Sequence, residues 1–253
     1  MLDSLRRQYL SLLKLSLADF THANTLSVAE DGSGAKITFR TADHQRITGD
    51  DWPMFAETMI GLKRLDNFQW CIESALAEKI PGDIIECGVW RGGASILAAG
   101  VLYAHNATER KLWVCDSFQG LPPPTDPADK NHQYHKIAYL AATVPDVQWS
   151  FSRYNLLLPE TQLQFVPGWF ADTLPGLREK KWAVLRADGD MYSSTRDILH
   201  NLYDGVSPGG YVIIDDYFWT ESARQATDDF RRERGITEPV QQIDHQGGWW
   251  RKG

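Results

Sequence analysis

Apolar positions change their period several times along the chain, and those changes divide it into elements. Leu2, Leu5, Tyr9, Leu12, Leu13 and Leu17 recur near the helical period, with Arg6, Arg7 and Lys14 falling mostly between them. This pattern predicts an amphipathic helix over residues 2–18. Its stripe can cover the protein's own core, an oligomer interface or an active site, and the pattern does not separate the three. Residues 21–51 carry Gly32, Gly34 and Gly49 among many polar positions, with only 36–40 strand-like, so this stretch reads as a surface segment. After Pro53 a helix is expected through Phe55, Met59, Leu62 and Leu65, and a second through Phe68, Ile72, Ala75 and Leu76, ended by Pro81-Gly82.

Short apolar runs then alternate with helix-length stretches. The runs are 83–87 (DIIEC), 111–116 (KLWVCD), 163–166 (LQFV), 182–187 (WAVLRA) and 211–215 (YVIID), the signature of βαβ units. They predict an α/β fold with a doubly wound, mostly parallel sheet. Residues 239–244 and 248–252 read as two closing strands around His245-Gln246-Gly247, which gives the sheet an antiparallel C-terminal pair. The expected organisation is an N-terminal helix and variable segment, 1–52, followed by one α/β domain, 53–253.

The composition is that of a soluble globular protein: 253 residues, 43% hydrophobic and 23% charged. A net charge of −7 with no Lys/Arg block argues against nucleic-acid binding, which needs a basic face to displace counterions. Cys71, Cys87 and Cys115 are odd in number and lack C-x-x-C spacing, so neither a disulfide framework nor a zinc site is supported, and a reducing cytoplasm fits. Charged residues interrupt the Leu-rich N-terminus well short of a membrane span, and it lacks the apolar centre of a signal peptide.

In an open α/β sheet, ligands bind beyond the carboxyl ends of the strands. The first run leads into Glu86-Cys87-Gly88-Val89-Trp90-Arg91-Gly92-Gly93, whose glycines let backbone approach a ligand. The spacing is not the G-x-G-x-x-G of a dinucleotide site, and no phosphate-binding G-x-x-x-x-G-K-[ST] occurs. An acid two residues before the first glycine suits a cationic group such as an amino acid's ammonium; a plain tight turn is the alternative. Asp116 ends the second run, where an acid can accept hydrogen bonds from ribose hydroxyls or simply start a turn. Asp188 and Asp190 follow the fourth run, and Asp215-Asp216 end the fifth. Four neighbouring carboxylates repel one another unless something positive sits among them, and hard oxygen ligands select Mg²⁺, Mn²⁺ or Ca²⁺. Taken separately, Asp188-Gly189 is a turn signal and Asp215-Asp216 a helix cap. Trp169, after the third run, can stack on a purine or pack ordinarily. The connection after Asp116 holds Pro122-Pro123-Pro124, His132 and His135 without obvious regular structure, which suggests a lid; each His is either an acceptor contact or a solvated side chain.

At these residues the sequence resembles the S-adenosylmethionine-dependent, Mg²⁺-dependent sugar O-methyltransferases of the macrocin O-methyltransferase type. The resemblance runs from about Thr58 to Arg251 through 58–65 (TMIGLKRL), 86–93, 116–120 (DSFQG), 151–154 (FSRY), 167–170 (PGWF), 188–190 (DGD) and 214–217 (IDDY). It implies a Rossmann-like methyltransferase domain over 53–253, acting on a sugar hydroxyl of a glycosylated natural product. It also implies that Glu86, Gly88, Asp116, Ser117 and Trp169, with Thr58 and Ser95, line the adenosylmethionine pocket. Asp188, Asp215 and Asp216 are implied to hold Mg²⁺, with Asp190 as general base. Residues 1–50 match poorly; in such enzymes this region shapes the acceptor pocket and subunit contacts, so a homo-oligomer is expected. A metal chelating two adjacent oxygens favours a vicinal diol acceptor, a glycoside or a catechol. Other readings of Asp188-Gly189-Asp190 are a metal-dependent glycosyltransferase, which leaves Glu86 to Gly93 unused, and an aspartyl-phosphate phosphatase, against which Tyr192 speaks. A non-catalytic protein that has kept the fold is the remaining class.

Overall fold

The computed structural model describes residues 2–22, 24–28, 38–41 and 44–253. In chain order the helices are α1 (Leu2–Leu17), α2 (His44–Thr48), α3 (Leu62–Ala77), α4 (Gly93–Ala104), α5 (Val144–Arg153), α6 (Phe170–Thr173), α7 (Tyr192–Leu202) and α8 (Glu221–Arg234). The strands are β1 (Asn24–Val28), β2 (Thr38–Thr41), β3 (Trp52–Pro53), β4 (Asp83–Cys87), β5 (Leu112–Asp116), β6 (Leu163–Pro167), β7 (Trp182–Ala187), β8 (Val206–Ile214), β9 (Gln241–Gln242) and β10 (Gly248–Arg251).

The main sheet has the order β6-β5-β4-β7-β8-β10-β9. Strands β4 to β8 are parallel, and β10 runs antiparallel to both β8 and β9, as the sequence pattern predicts. The order reverses between β4 and β7, the place where such sheets open a crevice at their carboxyl ends. Side chains alternate across the sheet. Ile84, Val114 and Val184 face the layer of α1, α3 and α4, whereas Ile85, Cys115, Leu185 and Val212 face the layer of α7 and α8. Helix α4 (GASILAAGVLYA) is apolar all round because Gly93–Leu102 is buried between the sheet and α1. A Cβ at Gly100 would lie 2.4 Å from Leu13 Cδ2, so glycine there lets Leu13 of α1 pack directly on the α4 backbone. The α1 stripe divides: Leu10, Leu13 and Leu17 are buried, while Leu2, Leu5 and Leu12 remain more than half exposed.

Three expectations are corrected. Residues 54–61 do not form a helix, because their carbonyls are claimed from outside. Arg91 Nη1 donates to Met54 and Ala56 (2.8 and 3.1 Å), Arg46 donates to Met59 and Ile60, and Gly93 N donates to Glu57. Next, residues 21–51 are not merely a surface segment. Strands β1, β2 and β3 form a small antiparallel sheet, and Arg46 pairs with Asp51 at 3.1 Å with both side chains 1% exposed. The observed strand is 38–41; Gly32, Gly34 and Lys36 lie outside the described residues. The connection after Asp116 is also structured rather than irregular. It carries three 3₁₀ turns and then α5, which opens with a Thr143/Asp146 capping box. Asp129, fully buried, accepts from Tyr192 N (2.7 Å) and Ser193 N (3.0 Å), pinning the connection to the start of α7.

Cys71, Cys87 and Cys115 are free and buried. Among the described residues no helix is long and apolar enough to cross a membrane.

Candidate active site

Strand β7 is buried along its whole length, yet its fifth residue is Arg186, 1% exposed. A guanidinium taken fully out of water requires anionic partners, and three surround it. Its Nη1 donates to Glu86 Oε1 at 2.6 Å and to Asp188 Oδ2 at 3.0 Å, and its Nη2 donates to Asp215 Oδ1. Arg64, from α3, donates to Asp215 Oδ2 and faces Asp244 Oδ2 at 3.2 Å. The positive charge demanded by the strand-end carboxylates is therefore supplied in part by two arginines. Arg186 was visible as a cation interrupting the apolar WAVLRA run. Arg64 had no such signal, since it lies in the first turn of α3, where the pattern does not distinguish a buried Arg from a solvated one.

The two guanidinium groups do not neutralise Glu86, Asp188, Asp190, Asp215, Asp216 and Asp244. Burial pushes the Asp188 carboxyl well up, with Asp215 adding to the shift. Burial likewise pushes Asp216 well up, reinforced by Asp190 and Asp188. Asp190 is raised to about 6 by burial and by Asp215. Glu86 is also raised by burial, although Arg186 and a hydrogen bond from Ser95 oppose it. Asp215 is held low, because Arg186 and Arg64 outweigh its burial. Carboxylates in this state gain from a further cation. Ligand atoms of Asp188, Asp215 and Asp216 lie within 4.8 Å of one another, and Asp216 Oδ2 is buried without a hydrogen-bond partner. A divalent ion with oxygen ligands fits this donor set. Asp190 sits beside it with a left-handed backbone (φ 56°), and its carbonyl accepts from Thr220 Oγ1 at 3.0 Å. Thr220, and not Asp215 or Asp216, caps α8.

The glycine turn after β4 closes the other side. Gly88 has φ +87°, and a Cβ there would fall 1.9 Å from the Asp188 carbonyl oxygen, so glycine alone lets the β4 and β7 ends approach. Asp116 bridges two loops, accepting from Val89 N and Phe118 N at 2.8 Å each. Burial raises its carboxyl against those backbone bonds. Trp90 (φ 48°) donates from Nε1 to the Tyr139 carbonyl at 2.9 Å, and the Tyr139 ring stacks on Trp52 with centroids 5.3 Å apart.

These groups line a single cavity of about 650 Å³, walled by Thr58, Glu86, Gly88, Asp116, Ser117, Trp169, Asp188, Asp190, Asp215 and Asp216. Ser95 stands apart from them: it is fully buried behind Glu86, to which its hydroxyl donates. Glu86 itself is committed to Arg186 and Ser95, which leaves it less available to a ligand cation than the sequence suggests. Neither His132 nor His135 is a lining residue. His132 is bonded to Ser222 at 2.9 Å and His135 is half-buried, so neither is simply solvated. Sequence reasoning did not find Asp50, Trp219 and Gln246, which also line the cavity. Asp50 and Gln246 come from segments 196 residues apart and meet only in the fold.

The sequence matches the family described as Macrocin-O-methyltransferase (TylF) over residues 8–252. It is 44% identical over 250 residues to a mycinamicin III 3''-O-methyltransferase from Micromonospora griseorubida, covering 96% of each chain. It is 48% identical over 210 residues to the 8-demethyl-8-(2,3-dimethoxy-alpha-L-rhamnosyl)-tetracenomycin-C 4'-O-methyltransferase of Streptomyces olivaceus, covering 81% of this chain and 79% of the relative. The solved structure of the O-methyltransferase NovP superposes with a TM-score of 0.89 at 40% identity, over 98% of this chain and 99% of that one. A calicheamicin methyltransferase, CalS11, shares the fold at a TM-score of 0.60 and 16% identity, over 76% of this chain and 79% of that one.

Proposed function

The chain belongs to the macrocin-O-methyltransferase (TylF) family, and from that premise we propose that it uses S-adenosylmethionine and Mg²⁺ to methylate a hydroxyl on the sugar of a glycosylated natural product. The glycosyltransferase and phosphatase readings of Asp188-Gly189-Asp190 fall away with that membership. The observation that carries the proposal is the convergence of Asp188, Asp215 and Asp216 within 4.8 Å of one another, beside Asp190, in the cavity that also holds the Gly88 turn and Asp116. Two of the relatives described above are named as O-methyltransferases of mycinamicin III and of a tetracenomycin C derivative, and the second name specifies a rhamnosyl group.

Asp116, Ser117, Gly88 and Trp169 form the cofactor side of the wall. Asp116 offers carboxylate lone pairs to the ribose, and the Trp169 ring offers a face to the purine. Gly88 keeps this side open by carrying no side chain. Bound adenosylmethionine would supply a methyl on a sulfonium, transferred to the acceptor oxygen as its C–S bond breaks. Bound Mg²⁺, held by Asp188, Asp215 and Asp216, would make the acceptor hydroxyl more acidic and fix its orientation. Asp190 accepts the hydroxyl proton, and its carboxyl, raised to about 6 by burial and by Asp215, is still ionised near neutrality. Arg186 and Arg64 hold Asp215 and Asp188 in place so that the oxygen set is formed before any ligand arrives. Alignment of this kind supplies on the order of 7–11 kcal/mol of a displacement barrier.

The test combines calorimetry of S-adenosylhomocysteine with transfer of a labelled methyl group to rhamnosylated polyketides, with Mg²⁺ and with EDTA. Binding at about micromolar affinity and Mg²⁺-dependent labelling of the sugar are expected. Absence of binding, or labelling unaffected by EDTA, would refute the respective half of the proposal.

A further inference from the structure

The same cavity is also lined by a polar cluster that methyl transfer itself does not require. The Asp50 carboxylate accepts from Thr48 Oγ1 at 2.6 Å, from Gln246 Nε2 at 3.0 Å and from His245 Nε2 at 2.5 Å. Its side chain is 28% exposed. Two of the three donors reach Oδ1, and Thr48 reaches Oδ2. Each carboxylate oxygen offers about two acceptor sites, so Oδ2 retains capacity toward the cavity.

This cluster is fixed relative to the reacting acids by one buried cation. Arg64 donates to Asp215 Oδ2 and faces Asp244 Oδ2 at 3.2 Å. Asp244 Oδ1 in turn accepts from the backbone N of Gln246 and of Gly247, both at 2.8 Å, and so holds the turn that carries Gln246. Gly49, with φ +76°, brings the backbone next to Asp50 against the same guanidinium: a Cβ there would lie 2.5 Å from Arg64 Nη2. The Gln246 carbonyl accepts from Phe218 N at 2.7 Å, which ties in the segment bearing Trp219. Trp219 lines the cavity and is left 55% exposed, its ring edge-on to His245 with centroids 6.3 Å apart. A charged acceptor, an amide and an open indole face around one cavity suit a pyranose ring. The hydroxyls of such a ring donate to carboxylates, and its C–H face packs on an aromatic.

Resting on the sugar methyltransferase reading, we propose that Asp50, Gln246 and Trp219 form the subsite that selects the acceptor ring. Asp50 Oδ2 accepts a hydrogen bond from a ring hydroxyl other than the one methylated, Gln246 keeps Asp50 in place, and Trp219 covers the apolar face. Asp50 thereby decides which oxygenation pattern is accepted.

The experiment measures binding of methyl α-L-rhamnopyranoside and its 2-, 3- and 4-deoxy forms by ligand-observed NMR. The full chain is used with S-adenosylhomocysteine and Mg²⁺, as wild type, Asp50→Ala, Asp50→Asn and Trp219→Ala. A hydrogen bond to a charged group leads us to expect about ten- to hundredfold weaker binding of one deoxy form by the wild type. That discrimination should disappear in Asp50→Ala and be partly kept in Asp50→Asn, whose similar shape guards against misfolding. Trp219→Ala should weaken every sugar while leaving the discrimination intact. S-adenosylhomocysteine affinity should stay within threefold throughout. Equal loss of all four sugars in Asp50→Ala would make Asp50 a structural tie and overturn the proposal. So would a wild type that binds the cofactor product but none of the sugars. A wild type that fails to bind S-adenosylhomocysteine would instead strike down the methyl-transfer reading on which the subsite rests.

Discussion

Replacing Arg186 by Met removes the one cation that touches three of the site's carboxylates. Arg186 is 1% exposed and is bonded to Glu86, Asp188 and Asp215. Met fills most of the volume of the arginine stem, so the loss is electrostatic rather than steric. Taking one partner from a buried ion pair costs about 3–5 kcal/mol, because the remaining charge stays desolvated. Asp215 keeps Arg64, and the Asp188 side chain is 23% exposed, so both are partly relieved. Glu86, 1% exposed and left with only Ser95, carries most of the penalty. At roughly 2–4 °C per kcal/mol for a chain of this size, Tm should fall by about 6–20 °C in EDTA, with a matching decrease in the urea midpoint. Adding Glu86→Gln should recover on the order of 1–3 kcal/mol, since it removes the charge that Arg186 compensated. A single-variant loss under about 1 kcal/mol, or no recovery in the double variant, would refute the view that Arg186 holds this cluster together.

Asp190→Asn should retain the stabilisation that Mg²⁺ confers in a thermal shift but lose roughly 10² to 10⁴ in turnover; full activity would place the base elsewhere. Asp190, raised to about 6, binds its proton more tightly in the folded protein than in the unfolded chain. Its contribution to stability is therefore present at low pH and lost as pH rises from about 4 through 6, on the order of 3 kcal/mol in EDTA. Mg²⁺ should accordingly raise Tm more at pH 7 than at pH 5, and an equal or reversed effect would contradict the raised carboxylates. Bound Mg²⁺ favours the ionised carboxylate, so in the Mg²⁺-loaded enzyme the acid limb of kcat/KM should lie below about pH 6, falling about tenfold per unit; a limb above pH 6 would contradict Asp190 as the base. Gly88→Ala, with φ +87° and backbone 1.9 Å from the new methyl, should abolish measurable S-adenosylhomocysteine binding by calorimetry, and wild-type affinity would show that β4 and β7 can part without consequence.

The strands were legible because burial on both faces leaves a plain apolar run: Asp83–Cys87 and Trp182–Ala187 match residue for residue. Residues 54–61 misled because periodicity reports which side chains are apolar, not where backbone carbonyls bond, and those carbonyls answer to Arg46 and Arg91. Helix α5 falls in the connection that shows no obvious regular structure by pattern, although Thr143 and Asp146 have capping-box spacing. The strand-end acids could be read from the sequence because each follows an apolar run. Their compensation by Arg64, and the meeting of Asp50 with Gln246, depend on contacts between distant segments that no local pattern encodes.

The bond between Asp50 and His245 spans 195 positions, and that separation bears on how the protein is made. Closing so long a loop is slow, and contacts of this kind form after local helices and neighbouring strands. At about 5–20 residues per second, a ribosome finishes Asp50 roughly 10–40 s before His245 appears. Throughout that interval the nascent chain can build its glycine turn and the β4–β5 pairing, while the far wall of the cavity has no partner. The side of the cavity formed by the Gly88 turn can thus mature during synthesis, whereas the side formed by Asp50 is completed only once the β9–β10 hairpin has been translated and has docked.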